Sequence, residues 1–146
     1  MQNKRYMIDT NVFISAFKSG YTTTTKLLLK LLLDPEVELI VDDVLLKEYE
    51  KWFKILSTRI PRIREQAELL YSLIKAKAKL ERSSNDDINR VKQYFPDTET
   101  ADIYHAATCL KANCILITND KDFQSLKRAK IVEVWTITEA VRRILK

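Results

Sequence analysis

ADIYHAATCLKANCILITNDKDF (residues 101–123) is the stretch that decides the fold. Its first part belongs to a segment, Thr98 to Ala112, with helical character, carrying Ala101, Tyr104, His105, Ala107, Thr108 and Leu110. Its second part, Cys114 to Thr118, is a short unbroken apolar run that reads as a strand, and Asn119-Asp120 ends it. A helix that feeds an apolar strand is the repeating unit of a parallel sheet covered on both faces.

The flanking segments repeat that alternation. Arg5 to Asp9 reads as a first strand closed by an acid, and Asn11 to Lys18 as a short helix opened by a Thr-Asn capping signal and broken at Gly20. Thr22 to Leu33 is a Leu-rich helix. Val37 to Val41 is a second strand, ended by Asp42 and Asp43, and Val44 to Leu56 a helix. Pro61 opens a long, highly charged helix to about Arg82, with Ile63, Ala67, Leu70, Leu73, Ile74 and Leu80 spaced for one face. Ser83 to Asp87 is a turn. Ile88 to Phe95 suits either a helix or a short third strand, and Pro96 ends it. Ile131 to Trp135 is the last strand and Ile137 to Lys146 a terminal helix that Thr138 can cap.

At 146 residues the chain is expected to form one domain, 1–146, long enough to bury a core. No repeat or low-complexity linker is visible. No apolar stretch reaches the roughly 20 residues that span a bilayer, and the N-terminus lacks the apolar centre of a signal peptide. No membrane partner and a cytoplasmic location are the expectation. Cys109 and Cys114 match no zinc spacing and read as small buried core residues. The net charge of +5, from 25 basic and 20 acidic residues, is compatible with a polyanionic partner without requiring one.

Four acids stand where apolar elements begin or end: Asp9, Glu48, Asp102 and Asp120. In a parallel sheet, ligands bind outside the carboxyl ends of the strands, and all four can face that edge. Converging carboxylates repel one another unless a divalent cation joins them. A set without Cys, in a chain with one His, suits Mg²⁺ or Mn²⁺ better than zinc. Such an ion activates water and stabilises charge on a phosphate, which is the chemistry of phosphodiester hydrolysis.

MIDTNVFISAF, LLKEYEK and ADIYHAATCLKANCILITNDKDF together resemble the PIN-domain family of metal-dependent nucleases, over residues 5 to about 135. The resemblance implies a three-layer α/β/α sandwich around a parallel sheet of about five strands, PIN-like and Rossmann-like. It implies that Asp9, Glu48, Asp102 and Asp120 hold Mg²⁺ or Mn²⁺ and carry the catalysis. Asn11 and Thr118 match polar positions that orient a ligand or a water, and Asp97 is the candidate for an additional acid. For the second acid, Glu50 and Asp43 compete with Glu48, which leaves Tyr49, Trp52 and Phe53 on the buried side of its helix. The charged segment Ile60 to Lys79 departs from the pattern.

Other residues read more plainly. Glu99, beside Asp97, is a helix N-terminal acid and Asp122 a surface turn residue. His105, three residues after Asp102, reads as a partly buried helix histidine rather than a phosphate contact. The basic run Lys75 to Arg82, with Lys121, Lys127, Arg128 and Lys130, reads as solvated surface more than as a phosphate track. Tyr49, Trp52 and Phe53 read as core rather than a stacking platform. The function expected is a Mg²⁺/Mn²⁺-dependent endoribonuclease that resembles the toxin of a VapBC-type toxin–antitoxin pair. Its partners would be RNA, an antitoxin protein and a second copy in a homodimer. The rival expectations are a non-catalytic RNA- or protein-binding module of the same fold and a DNA-directed, flap-type nuclease.

Overall fold

The computed structural model describes residues 3–18, 22–96 and 99–145; Gly20 and Asp97 lie outside them. Five parallel strands form one sheet in the order β3-β2-β1-β4-β5. They are β1 (Arg5–Ile8), β2 (Glu38–Val41), β3 (Ala78–Leu80), β4 (Ile115–Ile117) and β5 (Val134–Trp135). Among the described residues eight helices connect and follow them: α1 (Thr10–Lys18), α2 (Thr23–Leu33), α3 (Asp43–Arg59), α4 (Arg64–Lys77), α5 (Asn85–Lys92), α6 (Thr100–Ala112), α7 (Gln124–Ala129) and α8 (Ile137–Ile144).

The chain builds outward from β1 through β2 to β3, then returns to the other side of β1 to lay down β4 and β5. Strand order therefore reverses between β1 and β4, where a crevice opens at the carboxyl ends of the strands. The right-handed rule for parallel crossovers assigns α1 to α4 to one face and α5 and α6 to the other. Packing agrees: α1 contacts α3, α2 contacts α4, and α5 contacts α6. The central strands are apolar on both faces because both are covered. Met7, Ile8, Leu39, Ile40, Val41, Leu116 and Ile117 are all buried.

The third strand required a correction. The apolar spacing predicts one helix from Pro61 to about Arg82. Instead a short 3-10 turn at Pro61–Ile63 precedes α4, which stops at Lys77, and Ala78–Leu80 pairs with Leu39 to Val41. An edge strand with partly and fully exposed positions shows no alternation strong enough to stand out from a charged helix. Ile88 to Phe95, left open between helix and strand, falls mostly in α5, which Ser84 opens with a capping box closed by Asp87. Thr136, not Thr138, caps α8 in the same way with Glu139.

Tyr49 is a buried pin between α3 and the end of β1. Its ring packs edge-on to Phe13 at 4.8 Å, and its hydroxyl donates to the carbonyl of Ile8, immediately before Asp9. Phe53 stacks on Tyr71 at 5.2 Å and is buried, while Trp52 is only half-buried, so the aromatics of α3 are mainly core. Tyr49→Phe leaves the Ile8 carbonyl without that donor. It should cost about 1–3 kcal/mol in urea unfolding; an unchanged midpoint would show that the hydroxyl bond does not hold α3 to β1. Cys109 and Cys114 are buried free thiols, as read, with Cys109 also touching the Met7 sulfur at 3.6 Å.

Candidate active site

Asp9 follows β1 directly and is buried at the crevice. Its carboxylate is held on both oxygens. Oδ1 accepts from the Thr10 backbone N–H at 2.7 Å, and Oδ2 accepts from Thr118 Oγ1 at 2.7 Å and from Asn11 Nδ2 at 3.1 Å. Thr118, just after β4, also accepts from Asn11 Nδ2 at 3.1 Å and from the Asp120 backbone N–H at 3.0 Å. Its hydroxyl has thus used one donor and two acceptor positions, the full capacity of the group. Asn11 and Thr118 therefore orient Asp9. Burial pushes the Asp9 carboxyl up, and the Thr118 hydroxyl and the charge of His105 only partly offset this.

Glu48 lies on α3 near its start, where Oε2 accepts from Thr10 Oγ1 at 2.9 Å. The competing acids are elsewhere: Asp43 is exposed, and Glu50 is exposed and paired with Lys54 at 3.3 Å. Asp102 and Glu99 flank the start of α6. Burial first, then the charges of Asp120, Asp9 and Glu99, push Asp102 up to about 7 against the opposing pull of His105. Asp120 caps the short 3-10 turn Lys121–Phe123 by accepting from the Asp122 N–H at 2.9 Å.

The tightest acidic group is not the quartet read from the sequence. Oxygens of Glu99, Asp102 and Asp122 lie within 4.8 Å of one another. Asp102 alone belongs to both sets, so Glu99 and Asp122, read as a helix acid and a turn residue, join the same rim. Among the described residues, Asp9, Glu99, Asp102, Asp120 and Asp122 form no ion pair with Lys or Arg. The donors are all hard oxygens, and among the described residues no Lys or Arg pairs with them. Such a set fits a Mg²⁺ or Mn²⁺ ion.

Sequence reasoning missed Asp42. It caps α3, with Oδ1 accepting from the Leu45 N–H at 2.7 Å, and its Oδ2 lies 2.7 Å from His105 Nδ1. His105 is buried, not partly exposed. Its Nε2 points to Glu48 Oε1 at 3.5 Å, too distant for a hydrogen bond, and is the only buried side-chain nitrogen or oxygen without one among the described residues. Burial pulls the imidazole down, but the carboxylates of Asp42 and Glu48 more than reverse this, and it is raised to about 10. Burial likewise raises Glu48, yet His105 and the Thr10 hydroxyl leave it below the ordinary value. At neutral pH the group is an imidazolium between two carboxylates. The available signal was positional: Asp42 ends β2 as Asp9 ends β1.

Beside Asp120, Gln124, Lys127 and Arg128 line a cavity of about 180 Å³. Arg128 is exposed; Lys127 is paired with Glu139. Of the remaining basic residues, Lys79 lies in β3 and pairs with Glu38 and Glu81, each at 3.8 Å, and Lys75 sits over the Tyr71 ring. Among the described residues, no helix is long and apolar enough to cross a membrane.

The family model described as "PIN domain" matches residues 6–129. No curated protein matches the chain. Among solved structures, a chain of VapBC2 from Rickettsia felis, crystallised with a DNA fragment from the promoter, is similar with a TM-score of 0.59 and 16% identity. The match covers 90% of this chain and 98% of that one. A chain of VapBC-1 from nontypeable Haemophilus influenzae aligns with a TM-score of 0.58 and 21% identity, over 92% of this chain and 98% of its own. At these identities the likeness is one of fold.

Proposed function

Because the chain belongs to the PIN-domain family, we propose that it is a Mg²⁺/Mn²⁺-dependent endoribonuclease and the toxin component of a VapBC-type toxin–antitoxin pair. The observation that carries the reading is the group of carboxylates at the sheet's switch point, with which no Lys or Arg among the described residues pairs. Asp9, Glu48, Asp102 and Asp120 would hold the ion, with Glu99 and Asp122 close enough to share it. When bound, the ion brings the pKa of a water toward neutrality and stabilises charge that develops on the phosphate. Asn11, Thr118 and the Thr10 N–H hold Asp9 in one orientation, so little reorganisation is needed when substrate arrives. Attack by water on phosphorus breaks the P–O3′ bond and leaves a 3′-hydroxyl and a 5′-phosphate.

A single-stranded substrate is favoured over a duplex by size. The cavity of about 180 Å³ beside Asp120 is nearer the size of one unpaired base than of a base pair, and the exposed Arg128 is among its lining residues. The toxin assignment is supported by neighbours from VapBC complexes whose chains this one spans almost completely. An antitoxin that covers the acidic crevice, a homodimer and a cytoplasmic location belong to the same proposal. The test is RNA cleavage by purified protein with Mg²⁺ or Mn²⁺, with EDTA, and by Asp9→Asn. Cleavage should stop in EDTA and return with excess Mn²⁺. Cleavage that continues in EDTA would rule out the metal mechanism. Absence of Mn²⁺ binding at millimolar concentration would favour a non-catalytic binding module, and a preference for DNA a flap-type enzyme.

A further inference from the structure

Six polar or charged side chains are buried among the described residues: Asp9, Thr10, Asp42, His105, Thr108 and Thr118. All except Thr108 belong to one connected chain of contacts. It runs from Thr118 through Asp9 and Thr10 to Glu48, then to His105 and Asp42. Burying polar groups costs free energy unless they are satisfied, and a connected network specifies one arrangement. In this one Glu48 alone is substantially open to solvent, with its side chain 31% exposed, so the buried members converge on a carboxylate at the cleft.

We propose that His105 is a positioning residue for Glu48: anchored at Nδ1 by Asp42, its buried Nε2, which has no hydrogen bond of its own, faces Glu48 Oε1 at 3.5 Å, while Thr10 holds Oε2, so that Glu48 stands preset for a dication. The inference rests on the metal reading of the site. A glutamate on a helix surface has several rotamers, and the Thr10 hydrogen bond on one oxygen and the close approach of Nε2 to the other disfavour most of them before the ion arrives. They leave the outward lone pairs of the carboxylate free. The 3.5 Å separation is a contact that a small shift of Glu48 toward the cleft floor would close into a hydrogen bond.

Two substitutions divide the imidazole into its halves. In His105→Asn the amide nitrogen replaces Nδ1 and can reach Asp42 only. In His105→Gln it replaces Nε2 and can reach Glu48. Mn²⁺ affinity, read from the electron paramagnetic resonance signal of free Mn²⁺, should fall by about 10–100-fold in His105→Asn. In His105→Gln it should recover most of that loss, although both variants are less stable than the wild type. In a Glu48→Gln background, His105→Asn should change Mn²⁺ affinity no further. A purely structural role predicts instead that affinity follows stability, with Asn and Gln equivalent. That outcome overturns the proposal, and so does a full effect of His105→Asn in the Glu48→Gln background.

If the variants do not fold, the wild type still decides. The chain has a single histidine, so its ring nitrogens give unambiguous resonances in ¹⁵N-histidine-labelled protein. Mg²⁺ should shift the Nε2 resonance in wild type and leave it in place in Glu48→Gln. Mg²⁺ binding without that shift overturns the positioning role alone. No binding of Mn²⁺ to the wild type removes the metal reading itself, so the two failures are distinct.

Discussion

Asp102→Asn should silence RNA cleavage while making the ion-free protein slightly more stable. The two effects have one cause. Asp102 is pushed up to about 7 by burial and by the charges of Asp120, Asp9 and Glu99. An acid whose folded pKa lies above its ordinary 3.8 destabilises the fold as pH rises from there, with the cost complete once pH passes about 7. The amide of Asn carries no charge, so at pH 8 the variant escapes that cost. The carboxylate is about half exposed, and after solvent screening the gain is about 1 kcal/mol. The same substitution removes a charged ligand from the ion. A bound dication supplies several kcal/mol of transition-state stabilisation. At about 1.4 kcal/mol per tenfold, its impairment costs on the order of 10²–10⁴-fold in cleavage rate.

Thermal unfolding with and without Mn²⁺ separates these contributions. A ligand that binds only the folded state stabilises by RT ln(1 + [L]/Kd), so the wild type should gain melting temperature with Mn²⁺ and the variant little or none. In EDTA at pH 8 the order should reverse, with the variant melting higher. Equal Mn²⁺ stabilisation of both proteins would remove Asp102 from the ion's surroundings, whatever happened to activity.

How much of this was legible in the sequence depends on what kind of signal each element carries. β1, β2 and β4 are buried on both faces and therefore continuous in apolar residues, which locates them within a residue or two. β3 is an edge strand of three residues with exposed side chains, and its pairing with β2 is a tertiary fact that no local pattern encodes. α7 lies in a segment given no element at all, since a six-residue helix offers too few turns for periodicity to register. The place of Asp9 at the end of β1 was legible because the apolar run before it marks a strand, and the Thr-Asn after it with the match downstream drew attention to its carboxylate. The rim acids Glu99 and Asp122 each look like an ordinary helix or turn residue. Only the approach of α6 to the turn after β4 brings their oxygens together. Asp42 was readable as a cap, but its partner lies 63 residues away, so the ion pair was not.

Removing Asp42 should give the largest loss of stability of any single substitution at the site. Asp42 does two jobs: it caps α3 through Leu45, and it neutralises the buried His105. Asp42→Ala loses both and should cost about 3–5 kcal/mol near pH 7, the range for leaving a buried charge without its partner. Asp42→Asn keeps a competent cap, because Asn and Asp cap helices about equally well. Its amide can also donate to Nδ1 once the imidazole is neutral, so its cost should be clearly smaller, and the difference measures the cap and the hydrogen bond together. The sign of the pH dependence follows from His105, whose pKa is raised from 6.5 to about 10. A base held more tightly protonated in the folded state contributes stability that is complete below pH 6.5 and is lost as pH climbs toward 10. Urea unfolding at pH 6 and at pH 9.5 should therefore show the advantage of wild type over Asp42→Asn shrinking at the higher pH. An advantage that stayed constant across that window would mean that His105 is neutral in the fold, and that it meets Asp42 by a plain hydrogen bond rather than as an ion pair.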